Sequence, residues 1–293
     1  MPTIAALLGA LLATAAPSHA CQLHRTPALV GEIGYRDCGR GIPVLIIPGG
    51  PGLDAEYMAP VAKMVVGMGQ RAILVEPRGT GASRAALGDG SQLTIEGSVA
   101  DIEAVRRATG AKKIILIGHS FGGGVAQAYA AAHPQHVAGL VLLDSVGPSN
   151  RPPRARLDSW RLRAKPGELA RYDDARAKGD RISAMRLKFR IGFYDRSRGD
   201  AFVAAIPDTA IRLDVAPLAK SYDQKFHINS AQRAAFPVTL MAGDIDWIRG
   251  DEPALKAVYP GSRTIIIRHA GHFPWVDAPA SFHRALRRVL TGR

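Results

Sequence analysis

The sequence predicts an α/β fold, a mostly parallel central sheet with helices on both faces. Two patterns point to it. Short runs of Val, Ile and Leu recur along the chain without the polar alternation of a half-exposed strand, and segments with helical spacing separate them. Strands buried on both faces read in this way, and they need helices packed against each side. A third observation concerns the middle of the chain: residues 151–230 hold no such run, and the alternation resumes after them. An insertion of about eighty residues therefore interrupts the α/β pattern.

Taken in order, LVGEIGYRDCG reads as a first hairpin arm and PVLIIP (Pro43 to Pro48) as a buried strand. Leu53 to Met68 reads as a helix, and RAILVEP (Arg71 to Pro77) as the next strand. Thr94 opens a helix whose Ile95, Val99, Ile102 and Val105 fall on one face. The strand IILI follows, then the turn GHSFGGG, a helix over Val125 to His133 and the strand VAGLVLLD ending at Asp144. Beyond the insertion come a strand in FPVTLMAGD (Phe236 to Asp244), a helix over Asp251 to Tyr259, a strand in RTIIIRH (Arg263 to His269) and a last helix over Ala278 to Leu290.

The N-terminus reads as a targeting segment. Met1 to Ala20 carries an apolar stretch from Ile4 to Ala16 and a Ser18-His19-Ala20 end that fits the small-x-small cleavage rule, although no Lys or Arg precedes Arg25. The stretch is too short to span a bilayer, which takes roughly 20 residues. The expectation is export to a periplasmic or secreted location, with no transmembrane segment left after cleavage. The expected divisions are a leader at 1–20, a core at 21–146 and 236–293, and the insertion at 147–235. Of the two cysteines, Cys21 would then begin the mature chain. A Cys21–Cys38 disulfide, lipidation of Cys21, and two free thiols are the three readings; two cysteines this far apart offer too few ligands for zinc.

The chemistry centres on Gly118-His119-Ser120-Phe121-Gly122, a G-x-S-x-G motif on a strand-to-helix turn. A phosphate loop is excluded because no lysine follows these glycines, and the glycine offsets fail the dinucleotide fingerprint. A packing turn remains the plain alternative. A serine nucleophile needs a base to take its proton and an acid to orient that base. RHAGHFPW supplies His272, in a loop after the last strand, with His269 as a competitor expected to pack at the strand end. MAGDIDWI supplies Asp244 and Asp246, of which Asp246 reaches further into its loop; Asp144 is a third acid, better read as a cap or loop residue. The order Ser120, Asp246, His272 is that of α/β-hydrolases. An oxyanion needs two backbone donors. The amide of Phe121 and that of Gly50, in Pro48-Gly49-Gly50-Pro51-Gly52, are the expected pair.

With these motifs together, the chain resembles the α/β-hydrolase superfamily and, within it, the proline iminopeptidase-related branch. PGGPG is similar to that branch's H-G-G-P-G, EPRGTGAS (Glu76 to Ser83) to its D-x-R-G-x-G-x-S, and AGHFPWVDAP to the superfamily's catalytic-histidine segment. Pro48 stands where the branch has histidine, and Glu76 where it has aspartate. The resemblance covers Gly31 to Asp144 and Phe236 to Leu290, and it implies an α/β-hydrolase fold whose insertion is a helical lid.

Three functions follow as expectations: a carboxylic-ester hydrolase, a proline iminopeptidase-like aminopeptidase, or a non-catalytic binding protein of the same fold. Dehalogenase and epoxide-hydrolase chemistry uses an aspartate nucleophile, which Ser120 excludes. The expected substrate is a small ester or short peptide, and the chemistry calls for no cofactor and no metal. Trp247, Phe273 and Trp275 are expected either to wall an apolar acyl pocket or simply to pack. The chain carries a net +13, and residues 151–230 hold 18 Lys and Arg against 10 Asp and Glu, a net +8, so an anionic substrate or surface is a further expectation. An aminopeptidase holds its substrate's ammonium with lid carboxylates. Glu168, the one glutamate there, reads as part of a solvated helix, which weakens the aminopeptidase expectation without removing it, because any of the segment's aspartates could serve. No recognition helix or stacking motif suggests nucleic-acid binding.

Overall fold

The computed structural model describes residues 21–149, 160–212, 218, 221, 227, 228 and 234–292. In it the apolar runs pair into one eight-stranded sheet. The expected leader, residues 1–20, and parts of the expected lid lie outside the described residues. The strands are β1 (Gln22–Pro27), β2 (Glu32–Cys38), β3 (Pro43–Ile47), β4 (Arg71–Val75), β5 (Ile114–His119), β6 (Val137–Leu143), β7 (Val238–Gly243) and β8 (Arg263–Ile267). They run in the order β1-β2-β4-β3-β5-β6-β7-β8. Only the β1–β2 and β2–β4 pairs are antiparallel; every other neighbour is parallel.

The central strands bury both faces, and their side chains divide between two apolar layers with the two-residue period of a strand. Along β3, Leu45 and Ile47 enter one layer, and Val44 and Ile46 the other. The first layer is closed by α2 (Ile95–Ala108) and α3 (Phe121–Ala132) through Ile102, Val105, Val125 and Tyr129, and by α7 (Glu252–Val258) through Leu255 and Val258. The second is closed by α1 (Ala59–Gly67) through Val61 and Val65, and by α8 (Pro279–Thr291) through Phe282, Leu286 and Leu290. Each fully buried aliphatic side chain contributes about 1.5–3 kcal/mol to this sandwich. Thr94 starts α2 as its sequence predicts, its hydroxyl oxygen accepting from the Gly97 amide at 2.9 Å.

The EPRGTGAS segment is a structural clamp at the end of β4. Arg78 is buried and grips Asp101 of α2 through two nitrogens, while also donating to the carbonyls of Val30 and Ala86. The Ser83 hydroxyl donates to the Glu76 carbonyl (2.7 Å) and accepts from the Gly34 amide (2.8 Å). Glu76 is itself buried and accepts from the Ala55 amide at 3.1 Å, so it fastens the chain entering α1.

Between β6 and β7 the described residues include α4 (Glu168–Ala177), α5 (Arg181–Ile191) and α6 (Arg196–Ala205). Asp180 and Asp195 cap α5 and α6 by accepting from the Ser183 and Ser197 amides. The expectation that Glu168 sits on a solvated helix is corrected. Glu168 is buried; it accepts from Arg190 and from the Lys165 amide (2.7 Å), with Arg196 3.5 Å away. Its charge is matched by arginines of the same segment, which is why burial is tolerated.

β1 is the strand least visible in the sequence, with Thr26 its one buried residue. A disulfide joins Cys21, just before β1, to Cys38 at the end of β2. The bridge closes a short loop with a sequence separation of 17. Cys21→Ser should lower stability by about 2–3 kcal/mol, by the loop-closure entropy of so short a ring. A urea midpoint equal to that of the oxidised wild type would show that the bridge adds nothing.

Candidate active site

β5 ends at His119 and α3 begins at Phe121, so Ser120 alone makes the turn. Its φ of 54° and ψ of −121° lie where a residue with a side chain is strained, at a cost of order 1–3 kcal/mol. The surroundings hold it there: the Ser120 amide donates to the Leu143 carbonyl (3.0 Å), and its carbonyl accepts from the amides of Gly123 (3.0 Å) and Val146 (3.1 Å). The neighbouring glycines are a steric necessity. A Cβ on Gly118 would come within 2.7 Å of the Gly123 Cα, and one on Gly123 would overlap the Ser145 side chain. The helix can seat against β5 and β6 only because these positions are bare.

The turn presents the Ser120 hydroxyl to the loop after β8. His272 Nε2 lies 3.0 Å from Ser120 Oγ, and His272 Nδ1 lies 3.0 Å from Asp246 Oδ1. All three residues are buried. The Trp247 ring stacks on the imidazole at a centroid distance of 4.4 Å, and the His272 amide donates to the Gly192 carbonyl (3.0 Å), so ring and backbone are each held. Asp277 tightens the same loop, accepting from the amides of Gly271 (2.8 Å) and Tyr194 (2.9 Å). Burial opposes ionisation of Asp246, but the adjacent His272 and its hydrogen bond outweigh that and hold the carboxyl below the usual carboxylate range.

A second buried chain runs beside the first. His119 Nε2 faces the His272 carbonyl (2.9 Å) and can only donate to it. Nδ1 is then the acceptor, and it takes the hydroxyl proton of Tyr57 (2.9 Å), whose oxygen accepts from the Gly49 amide. Every group in this chain is satisfied only if His119 is neutral. Complete burial, reinforced by the nearby His272, pushes its pKa well below the ordinary histidine value. The chain ties the Pro48–Gly52 loop, the serine turn and the histidine loop together. Nothing in the sequence marks Tyr57 as its partner, since 62 positions separate it from His119.

The structure brings Ser120, Asp246 and His272 together and sets other expected residues apart. Asp244 accepts from the Ala270 amide (3.1 Å) and fastens the turn before His272. His269 does not pack at a strand end; it is exposed, 5.1 Å from the Tyr194 ring. Phe273 and Trp275 pack into the aromatic cluster behind His272. At 1% and 3% exposure they lie among Tyr57, Phe193, Phe202 and Phe282 in the second apolar layer, where large rings bury the most area. Gly50 has a φ of 132° in the loop beside the serine turn, and the Gly49 amide of that loop is already used by Tyr57. Among the described residues, Asp144, Asp246 and His272 form the one His-acid group with ligand atoms within 4.8 Å of one another. Both nitrogens of His272 are engaged, by Asp246 and Ser120, so the group reads as a hydrogen-bonded set.

An eight-stranded, mostly parallel sheet with a serine on its strand-to-helix turn defines a class, and comparison with known proteins agrees. The α/β-hydrolase fold family matches residues 42–279, and the chain belongs to that family. It is 26% identical over 227 residues to a probable 1-acylglycerol-3-phosphate O-acyltransferase of Oryza sativa, covering 65% of this chain and 54% of the relative. It is 37% identical over 118 residues to a proline iminopeptidase of Neisseria meningitidis, covering 39% of this chain and 36% of the relative. The chain thus spans about half the length, or less, of these curated relatives. A thermophilic esterase of Thermogutta terrifontis superposes with a TM-score of 0.70 at 23% identity, covering 92% of this chain and 98% of that one.

The strain at Ser120 has a measurable consequence. Ser120→Gly should raise the unfolding free energy by up to ~1 kcal/mol, the relief of strain exceeding the added entropy of the unfolded chain. Thermal and urea unfolding against wild type test it; a Gly variant less stable than wild type would mean that the turn stores no strain.

Proposed function

We propose that the protein hydrolyses carboxylic esters through an acyl-enzyme on Ser120. The observation that carries this reading is the continuous hydrogen-bonded line from Ser120 Oγ through His272 to Asp246, 3.0 Å at each step. In the proposed sequence His272 Nε2 takes the hydroxyl proton as Oγ attacks the ester carbonyl, and Asp246 stabilises the imidazolium that forms. The oxyanion is bound by the amides of Phe121 and Gly50. Collapse of the tetrahedral intermediate expels the alcohol, which receives the proton from His272. Water, deprotonated by the same nitrogen, then releases the acid and restores Ser120.

Esters are favoured over peptides with a free amine because Glu168 is engaged by Arg190 and the Lys165 amide, so it is not available to hold a substrate ammonium. The aminopeptidase reading keeps one specific support, the similarity to a proline iminopeptidase over 118 residues. The rice relative is described as an acyltransferase of 1-acylglycerol-3-phosphate, a phosphate-bearing substrate. With the net +8 of residues 151–230, this supports an anionic substrate for the present chain, with that segment acting as a lid. Export is proposed as well, on the leader-like residues 1–20 and the Cys21–Cys38 disulfide that follows them.

Ser120→Ala and His272→Ala should each reduce p-nitrophenyl ester hydrolysis by ~10⁴-fold or more with the fold intact, and Asp246→Asn by about as much. Activity within tenfold of wild type in the Ser120 variant would end the reading, and aminoacyl-anilides cleaved in preference to esters would favour the aminopeptidase. Steering by the basic segment should fade as the Debye length falls from ~10 Å at 0.1 M salt to ~3 Å at 1 M. The kcat/KM of an acidic ester should therefore drop across that range while that of a neutral ester of equal size holds. Parallel salt curves would leave the lid charges as ordinary surface.

A further inference from the structure

Asp144 is a second carboxyl group in contact with the site, and the reaction as written does not use it. It directly follows β6 with a φ of 42°, in the left-handed region that aspartate tolerates better than most side chains. It is 1% exposed. Its amide donates to the Met241 carbonyl (2.8 Å), and its Oδ1 accepts from the Gly243 amide (2.9 Å), so it is fixed on the strand that leads to Asp246. Asp246 in turn donates its amide to the Gly243 carbonyl (3.2 Å). A carboxyl oxygen of Asp144 lies within 4.8 Å of one of Asp246. Yet Oδ2 of each is buried and meets no N–H or O–H donor.

Two ionised carboxylates cannot share so small a buried space, and two orphaned acceptors side by side are each costly. One proton between them removes both penalties. It supplies a donor for the pair and leaves a single negative charge to meet His272. The surrounding charges decide which group keeps it. Asp246 has His272 at 3.0 Å and the Ile248 amide at 3.3 Å to stabilise its anion. Asp144 faces Asp246 and, further off, Asp277, with one amide to offset them. Of the nearby cations, Arg163 acts on Asp246, Asp244 and Asp277, while Arg249, beside Glu252 on the wall of a small cavity that Asp144 and Asp246 also line, donates to the Asp244 carbonyl (2.9 Å). Burial and the Asp246 charge together push the Asp144 carboxyl well above the usual carboxylate range.

We propose that Asp144 is a protonated carboxylic acid that donates its hydrogen bond to Asp246, and is thereby the positioning residue for the acid that orients His272. This rests on the proposed roles of Ser120, Asp246 and His272. The proton stays on Asp144 throughout turnover, and no bond to substrate is made or broken there. Asp144 fixes the carboxylate rotamer of Asp246 from the side opposite the imidazole, and it keeps the site's net charge at one.

The two isosteric and truncated variants separate this from a structural role. In Asp144→Asn the amide oxygen still accepts from Gly243 and the NH₂ donates to Asp246, as the neutral acid does. Asp144→Ala removes the donor and should lower kcat on a p-nitrophenyl ester by about 10–100-fold with little change in KM, the range seen when a supporting partner is lost. Asp144→Asn should rescue most of that loss, with the acid limb of the kcat/KM profile shifted by less than ~0.3 pH. If Asp144 is instead an anion, its neutralisation removes a charge near His272, and the acid limb moves down by about a unit or more; that result overturns the proposal, as does an Asp144→Ala enzyme equal to wild type. Should the Ala variant not fold, the Asn profile decides alone. Infrared difference spectra of wild type against Asp144→Asn give a readout independent of turnover: the carbonyl stretch of a protonated carboxylic acid should vanish in the variant, and its absence from wild type refutes the assignment. An active Ser120→Ala enzyme would end the hydrolase reading while leaving the infrared result to stand or fall by itself.

Discussion

The parallel hydrogen bonding of β3, β5, β6, β7 and β8 is the constraint on which the site depends. Parallel neighbours point their carboxyl ends the same way, so the loops that follow them gather along one edge of the sheet. The Pro48–Gly52 loop follows β3, Ser120 follows β5, Asp144 follows β6, Asp246 follows β7 and His272 follows β8. Residues more than 150 positions apart meet at 3.0 Å because five strand ends share a line. A slip of register in one pair would move every loop beyond it, and it would also exchange the two apolar layers, since the side-chain period of a strand is two.

Burial of the polar site then makes severe demands of its own. A dry interior leaves donors and acceptors no water to turn to, so they must satisfy one another. The line from Ser120 to Asp246 and the line from Gly49 through Tyr57 and His119 to the His272 carbonyl are two solutions of the same problem, and they share His272. Because of that shared member, substitutions in the two lines should not be additive.

How much of this is legible in the sequence depends on how local each cause is. The central strands are legible because burial on both faces leaves pure apolar runs such as Ile114 to Ile117. The turn at Ser120 is legible because its glycines are needed within five residues of it. β1 is not, because an edge strand with one buried residue has no apolar pattern to show. Glu168 looks solvated in the sequence because the arginine that neutralises it, Arg190, is 22 positions away. Phe273 and Trp275 stay ambiguous in the sequence for a related reason: adjacency to His272 in the chain suggests a pocket, while the aromatic rings that surround them are supplied from three other segments. Tyr57 and the contact of Asp144 with Asp246 depend wholly on tertiary placement.

The last strand of the sheet has a consequence of another kind. Among the described residues β8 pairs with β7 alone, and it carries Ile265, Ile266 and Ile267 in succession. An edge strand with so aliphatic a run is the template that a strand from a second molecule would extend. Arg263 begins the strand, exposed, and Arg268 follows it directly, also exposed. Two copies aligned edge to edge and antiparallel would bring these like charges together at both ends of the run, and the cost of that encounter opposes such pairing.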